Sequence, residues 1–397
     1  MKKTRIRAFI AALLAVLLLG GCGVKIPQEL TDLSLPYVDG NIVTAFSVVL
    51  PQRGYLTLTS ENQQLMYKAM LLAIKNHDTE TLAVPGDLTD AEVAAVYDAV
   101  TDDYPQFFEP SLTYSIVREQ TKSGKVKSIS CTLNYIENDP ELAVVRRQAL
   151  YDRVNAILAE AATITDTLER EKFFYEQVIY AAEYDYSQSV LANINLDTHT
   201  AYGCLVDGKA VCDGYAKAFA LLCCYGGIEA WTESGYLDNT SHAWNGIKLD
   251  GKVYYCDPTA DDAENRYYDA DKDVVINPET PEDDTALPDT ATLLYFNLTR
   301  GEMSADHTFK SSAGADDAAD SASATVGIFV RFESRGDLAD WMNETLANAQ
   351  SGSGFTIAVD FSISKSDFAE LIQNVGMTNT CLFSQNGAAS RYYIYVI

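Results

Sequence analysis

Basic residues are scarce in this chain. Its 397 residues hold 29 Lys and Arg against 56 Asp and Glu, a formal charge of −27 at pH 7. A field of that sign repels nucleic-acid phosphates and anionic lipid faces, so no nucleic-acid partner is expected. Long apolar runs are missing as well. The one conspicuous run, Phe9–Leu19, covers 11 residues, well short of the roughly 18 that a membrane-spanning helix needs. Histidines number only 4, and no Cys-x-x-Cys motif pairs with a second one or with nearby histidines, so neither a metal nor a structural zinc is expected. The 8 cysteines are irregularly spaced and include an adjacent pair. They form no disulfide framework, and most read as buried free thiols. With 47% hydrophobic residues the chain is ordinary globular protein, long enough for two or three domains.

What is present begins at the N-terminus. Lys2, Lys3, Arg5 and Arg7 precede the apolar run, which ends in Leu19-Gly20-Gly21-Cys22. A basic start and a short apolar stretch make a secretory leader. Small residues directly before a cysteine resemble a bacterial lipoprotein signal. That resemblance implies cleavage before Cys22, lipid on its sulfur, and an exported chain anchored to the extracytoplasmic side of a bacterial membrane. An ordinary leader with an incidental cysteine is the alternative.

Along the chain, residues 22–45 mix Pro, Gly and polar residues without periodicity, as a tether does. Residues 46–140 read as a small α/β module. Ser60-x-x-Gln63 and Thr89-x-x-Glu92 are capping boxes opening two amphipathic helices, and two β-rich runs, 112–117 and 126–136, are joined through Ser123-Gly124. Helical patterns over 141–161 and 167–182 open a unit over 141–310, with 293–298 as its last strand. Residues 311–325, almost wholly Ser, Ala, Gly and Asp, read as a flexible linker. Residues 326–397 follow as an independent β-α-β-α-β-β module without a catalytic signature.

The chemistry gathers at Cys212, His242 and Asp257. Cys212 stands just before a helical run with Tyr215, Ala216, Phe219, Leu222 and Cys223 at core spacing. A cysteine there meets the positive end of the helix dipole, which favours thiolate, and its backbone N–H points at a developing oxyanion. Taken alone, Cys212 reads rather as one more buried cysteine. The downstream segment shifts the balance. Asp250-Gly251 between two β-rich runs signals a two-residue hairpin. If Leu249 pairs with Lys252, His242 and Asp257 become diagonal neighbours on one sheet face. A bulge would spoil that register. Separately, His242 reads equally as a structural histidine and Asp257 as a turn residue before Pro258. Jointly they make an activated thiol: the carboxylate holds one imidazole nitrogen and the other faces the sulfur. His77, His199 and His307 read as structural or solvent-facing.

These residues carry a resemblance. Val211-Cys212-Asp213-Gly214-Tyr215-Ala216, His242-Ala243-Trp244-Asn245 and Val253-Tyr254-Tyr255-Cys256-Asp257-Pro258-Thr259 resemble the three signature blocks of the bacterial transglutaminase-like superfamily, over about 165–310. The resemblance implies an α+β, papain-like core with the nucleophile helix packed on an antiparallel sheet. It also implies roles: Cys212 as nucleophile, His242 as general base and acid, Asp257 as orienter. The run from Tyr295 to Phe309 is similar to the tail of such domains in bacterial lipoproteins. Members include crosslinkers, amide hydrolases and peptidases, and some have lost activity; active forms pass through an acyl-thioester. The expected partner is therefore a protein or peptide substrate, wall peptides among them, with no cofactor. The rival reading is a non-enzymatic binding or scaffold lipoprotein that keeps the fold. Trp231, Trp244 and Tyr202 are candidate walls of the acyl site, with core packing the stronger reading of each. Asp269-Ala270-Asp271-Lys272-Asp273 opens like a calcium loop, but Val274 replaces the glycine and Thr280 the bidentate Glu, so it reads as a solvated acidic loop.

Overall fold

The computed structural model describes residues 25–189, 195–237, 239–262, 274–275, 291–312, 314, 317, 329–375, 381–388 and 390–396. They form two compact units. The first holds residues up to 35, 55–100 and 112–134, and the second holds 36–54, 101–111 and everything from 135 onward.

In the first unit, helix α1 (Glu61–Asn76) opens with the predicted capping box. Ser60 Oγ accepts the Gln63 N–H, and Gln63 Oε1 accepts the Ser60 N–H. Met66, Tyr67, Met70, Leu71 and Ile74 are buried on its inner face, and His77 ends it as a left-handed cap. Helix α2 (Asp90–Asp103) starts from the second box, Thr89 with Glu92. A three-stranded sheet in the order β1 (Val84–Pro85), β3 (Val126–Tyr135), β2 (Pro110–Gln120) completes the unit. Its hairpin turns at Gly124, whose φ of 82° needs a glycine.

The second unit begins earlier than its sequence pattern suggests. Within the stretch read as tether, Asp39 accepts a hydrogen bond from Tyr151 and its N–H donates to the Tyr225 hydroxyl. Thr44 bonds the Tyr225 carbonyl, and Val49 N–H bonds that of Cys224. Irregular backbone lacks periodicity, but it still finds partners in buried tyrosines and a helix end. Helices α3 (Pro140–Ala161) and α4 (Thr167–Ile179), capped by Asp139 and Asp166, pack around α5 (Cys212–Tyr225). Helix α5 is buried almost throughout, with Tyr215, Phe219, Leu222 and Cys223 fully enclosed; each large side chain so placed contributes roughly 2–3 kcal/mol. It lies on an antiparallel sheet in the order β7 (His307–Phe309), β4 (Glu229–Leu237), β5 (Thr240–Leu249), β6 (Lys252–Cys256). This is the expected α+β core.

Two expectations change. Residues 293–298 are not a strand. Leu293 and Asn297 sit at φ 56° and 55°, and the loop is pinned by Asp261, which accepts the N–H groups of Leu294 and Tyr295. Leu298 makes one isolated bridge to Tyr255 of β6, and polar pinning takes the place of a continuous ladder. The linker, too, is docked where it is described: Tyr255 and Arg300 hold Asp317, and Ser311 bonds Glu233.

The C-terminal residues show the β-α-β-α-β-β order: β8 (Val330–Phe332), α6 (Arg335–Thr345), β9 (Gly354–Val359), α7 (Lys365–Gln373), β10 (Cys381–Gln385) and β11 (Arg391–Val396). Strands β8 and β9 are parallel, as their helical crossover requires, and the other pairs are antiparallel. The module does not stand alone. Its edge strand β10 pairs with Val274–Val275, and the fully buried Arg391 donates to the carbonyls of Leu293, Phe296 and Asn297. Among the described residues no helix is long and apolar enough to cross a membrane.

Candidate active site

Cys212 is the first residue of α5, after Val211 in extended backbone. Close packing sets that start. A Cβ at Gly214 would meet the Thr198 carbonyl oxygen at 2.4 Å, so only glycine lets the preceding loop lie against the first turn. Gly208, at φ 72°, turns the chain into that approach. The described cysteines are all free, and Cys212 alone among them is partly exposed. Burial pushes the Cys131 and Cys381 thiols up to about 11 and that of Cys224 up to about 12, which makes them poor nucleophiles.

His242 and Asp257 are set by the β5–β6 hairpin. Leu249 pairs with Lys252 and the register runs without a bulge to Asn245 opposite Cys256, the predicted alignment. Asp250 and Gly251, at φ 49° and 80°, form its two-residue turn. His242 Nε2 and Asp257 Oδ2 lie 2.7 Å apart. Cys212 is close enough to the same imidazole to help raise its proton affinity. The three residues expected to act together are therefore adjacent, with His242 in the middle.

Asp257 has two duties. Its Oδ1 accepts the N–H groups of Thr259 and Ala260, capping the short helix Pro258–Asp261, while Oδ2 faces the imidazole. The turn contacts and the approach to the imidazole thus use different oxygens of one side chain. Burial works against charge at either partner. For Asp257 it raises proton affinity, but His242 and His307 overcome it and hold the carboxyl well below its usual range. For His242 burial lowers proton affinity, and Asp257 with Cys212 more than restores it.

His307 is the residue that sequence reasoning missed. It is fully buried, with Nε2 3.1 Å from Asp257 Oδ2 and Nδ1 2.6 Å from Asp306 Oδ1. The pairing of β7 on β4, His307 opposite Leu237, carries it there. The Asp306-His307 dipeptide was visible, but its partner 50 residues upstream was not. Trp244 packs beneath both rings, stacked near His242 and edge-on to His307. Trp231 and Tyr202 are buried in core packing, against Arg53 and Phe108 respectively. His199 binds Asp213, the neighbour of Cys212, at 2.9 Å. Among the described residues His242, Asp257 and His307 bring three ligand-type atoms within 4.8 Å; the two imidazole–carboxylate distances are those of hydrogen bonds. Cys22 and the residues 269–273 lie outside the described residues.

Against known proteins, residues 155–258 match the model of the transglutaminase-like superfamily. No curated protein matches at a significant level. A solved TGase structure is 16% identical, over 37% of this chain and 43% of that one, with a TM-score of 0.26. A proposed cysteine protease from Cytophaga hutchinsonii is 15% identical over 38% and 66%, with a TM-score of 0.24. A proposed protease from Parabacteroides distasonis is 11% identical over 71% and 61%, with a TM-score of 0.21. The chain spans less than two thirds of each of these three. The family match falls on the stretch that supplies α5, β4, β5 and β6 with Cys212, His242 and Asp257, and residues 155–258 form a transglutaminase-like domain.

Proposed function

We propose that this domain is a cysteine enzyme that opens amide bonds of proteins or peptides, and that lipid on Cys22 anchors it at the outer face of a bacterial membrane. The observation that carries the enzyme reading is His242 placed between a partly exposed helix-start thiol and a buried carboxylate. The anchor rests on the residue order from Phe9 to Cys22.

Cys212 gives its proton to His242 and attacks the amide carbon. The oxygen takes up negative charge beside the backbone N–H of Cys212 at the start of α5. His242 returns the proton to the leaving amine, the C–N bond breaks, and an acyl-thioester remains. Water, deprotonated by His242, then releases the acid; an amine in its place forms a new amide. Water is abundant outside the cell, so hydrolysis is the default outcome.

The test is alkylation of the full-length protein, in detergent, with iodoacetamide across a pH series, mapping each modified cysteine. Fast labelling confined to Cys212 near neutral pH, together with a mass increase on Cys212 from activated amide substrates, is expected. An inert Cys212 in folded protein overturns the enzyme reading and leaves the binding-lipoprotein reading. In the producing cell, Cys22→Ser is expected to move the protein out of the membrane fraction; unchanged membrane retention sinks the anchor.

A further inference from the structure

The pair formed by His307 and Asp306 is unused by the chemistry above, although it is buried against the reacting residues. Counting donors and acceptors shows what it must be. Asp257 faces four donor positions: the imidazoles of His242 and His307 at Oδ2, and two backbone N–H groups at Oδ1. The two imidazoles outweigh burial and hold the Asp257 carboxyl below its usual range, so Asp257 is ionised. Asp306 receives the Tyr295 hydroxyl at Oδ2, 2.5 Å away, and His307 Nδ1 at Oδ1. The Tyr295 hydroxyl in turn accepts the Gly387 N–H at 3.1 Å, which directs its own proton to Asp306. Asp306 Oδ2 is therefore an acceptor, and Oδ1 faces His307 Nδ1.

A carboxyl oxygen lies within hydrogen-bond distance of each ring nitrogen of His307, and the imidazolium is the form that donates at both ends. The burial of two carboxylates side by side without an intervening charge would be prohibitive, and an imidazolium between them removes that repulsion. The titratable groups that face His307 from the elements packed on it are Asp257, Asp306, His242 and Tyr295, and each either accepts its protons or is aimed at one of its carboxylates. The raised proton affinity of His307, against burial and through these two carboxylates, agrees.

We propose that His307 is a positioning residue: a buried cation that shares Oδ2 of Asp257 with His242, fixes that carboxylate and sets the proton balance of the Cys212–His242 pair. Because Gly387 ends the chain of hydrogen bonds, the C-terminal module takes part in holding the catalytic carboxylate. This inference rests on the enzyme reading, since it assigns His307 to the same thiol–imidazole pair.

Its sign follows from charge. His307→Gln keeps an amide that can reach Asp257 but removes a full positive charge, 5.7 Å between rings, from His242. Thiolate then loses a favourable charge, and protonated His242 faces two uncompensated carboxylates. Both limbs of the Cys212 alkylation profile should move to higher pH, by about one to two units for a charge at that distance in an effective dielectric near 20–40. Asp306→Asn removes a negative charge instead, so its profile should stay in place or move down. A residue that served only to fill space would slow labelling at every pH and move neither limb.

The experiment is the pH profile of Cys212 alkylation in full-length wild type, His307→Gln and Asp306→Asn, each first shown to be folded by circular dichroism. An upward shift in His307→Gln without one in Asp306→Asn supports the proposal; superimposable profiles, or equal shifts in both, overturn it. Should His307→Gln not fold, imidazole nitrogen NMR of the wild type decides: two protonated nitrogens on His307 at pH 7 support it, and a neutral ring overturns it. An activated wild-type Cys212 with unmoved variants rejects this inference alone. A wild-type Cys212 that labels like an ordinary thiol rejects the enzyme reading first and this one with it.

Discussion

At the scale of single residues, Asp257 shows how one side chain serves folding and chemistry through different atoms. Oδ1 satisfies two helix-start N–H groups and Oδ2 holds His242. The two duties can be separated. Asp257→Asn can keep a cap acceptor at Oδ1, but it turns an amide N–H₂ toward the imidazoles, where an acceptor is needed. Asp257→Ala loses both. Cys212 alkylation at pH 7 should therefore fall on the order of 10²–10⁴-fold in either variant, as expected for a lost orienting carboxylate. Stability should separate them, with the Ala variant less stable by about 1 kcal/mol for the missing cap. Urea unfolding of the two, beside labelling rates, makes the comparison. An Asn variant as reactive as wild type would remove Asp257 from the mechanism.

At the scale of elements, what could be read from the sequence was what short spacing fixes. Asp250-Gly251 sets a turn type, the turn sets the register down to Asn245 opposite Cys256, and Asp257 follows directly at the end of β6, where it meets His242. Ser60 with Gln63 and Thr89 with Glu92 likewise act within one turn. What could not be read depends on partners far along the chain. The loop at 293–298 looks like a strand by composition, yet Asp261 and Arg391 draw its polar backbone into a pinned turn. His307 reaches Asp257 only through strand pairing that its own neighbours do not encode.

A buried polar contact joins three of these elements and makes a pH prediction. Glu171 on α4, fully enclosed, accepts from Asn297 Nδ2 at 3.0 Å and from the Cys256 thiol on β6. Burial pushes its carboxyl up to about 8, with Asn297 and Cys256 pulling partly back. Unfolded, the same carboxyl titrates near ~4.3. The folded value lies above the unfolded one, so the associated stability is fully present below about pH 4.3 and lost as pH rises to about 8. The loss amounts to at most about 5 kcal/mol. Glu171→Gln keeps the acceptor oxygen for Asn297 and cannot ionise. Between pH 5 and 8.5 the unfolding free energy of wild type should fall more steeply than that of the variant. Parallel slopes would show that Glu171 does not titrate in this range.

At the scale of the whole molecule, the C-terminal residues are bound into the second unit by polar links and not only by apolar packing. Arg391 is fully buried, so that desolvation lowers its affinity for a proton to about 10, and its guanidinium satisfies three carbonyls of the 293–297 loop. Thr356 bonds the Thr292 carbonyl, Gly387 bonds Tyr295, and Ser390 bonds Glu302. Tyr295 leads on through Asp306 and His307 to Asp257. Removing the module would strip the loop of these donors. Each buried carbonyl left without a partner costs about 1–3 kcal/mol, and three of them approach the 5–15 kcal/mol that typically stabilises a domain. A chain ended at residue 325 is thus expected to be unfolded or to melt far below the full-length protein, with Cys212 labelling no faster than that of a free thiol. Arg391→Met, which keeps the apolar stem but loses the donors, should be folded, less stable by about 3–5 kcal/mol, and slower to label. The decisive comparison is calorimetry with Cys212 labelling on all three proteins. A truncated chain that melts cooperatively near the full-length temperature and labels at the wild-type rate would make residues 326–397 a separable appendage and detach the C-terminal module from the site.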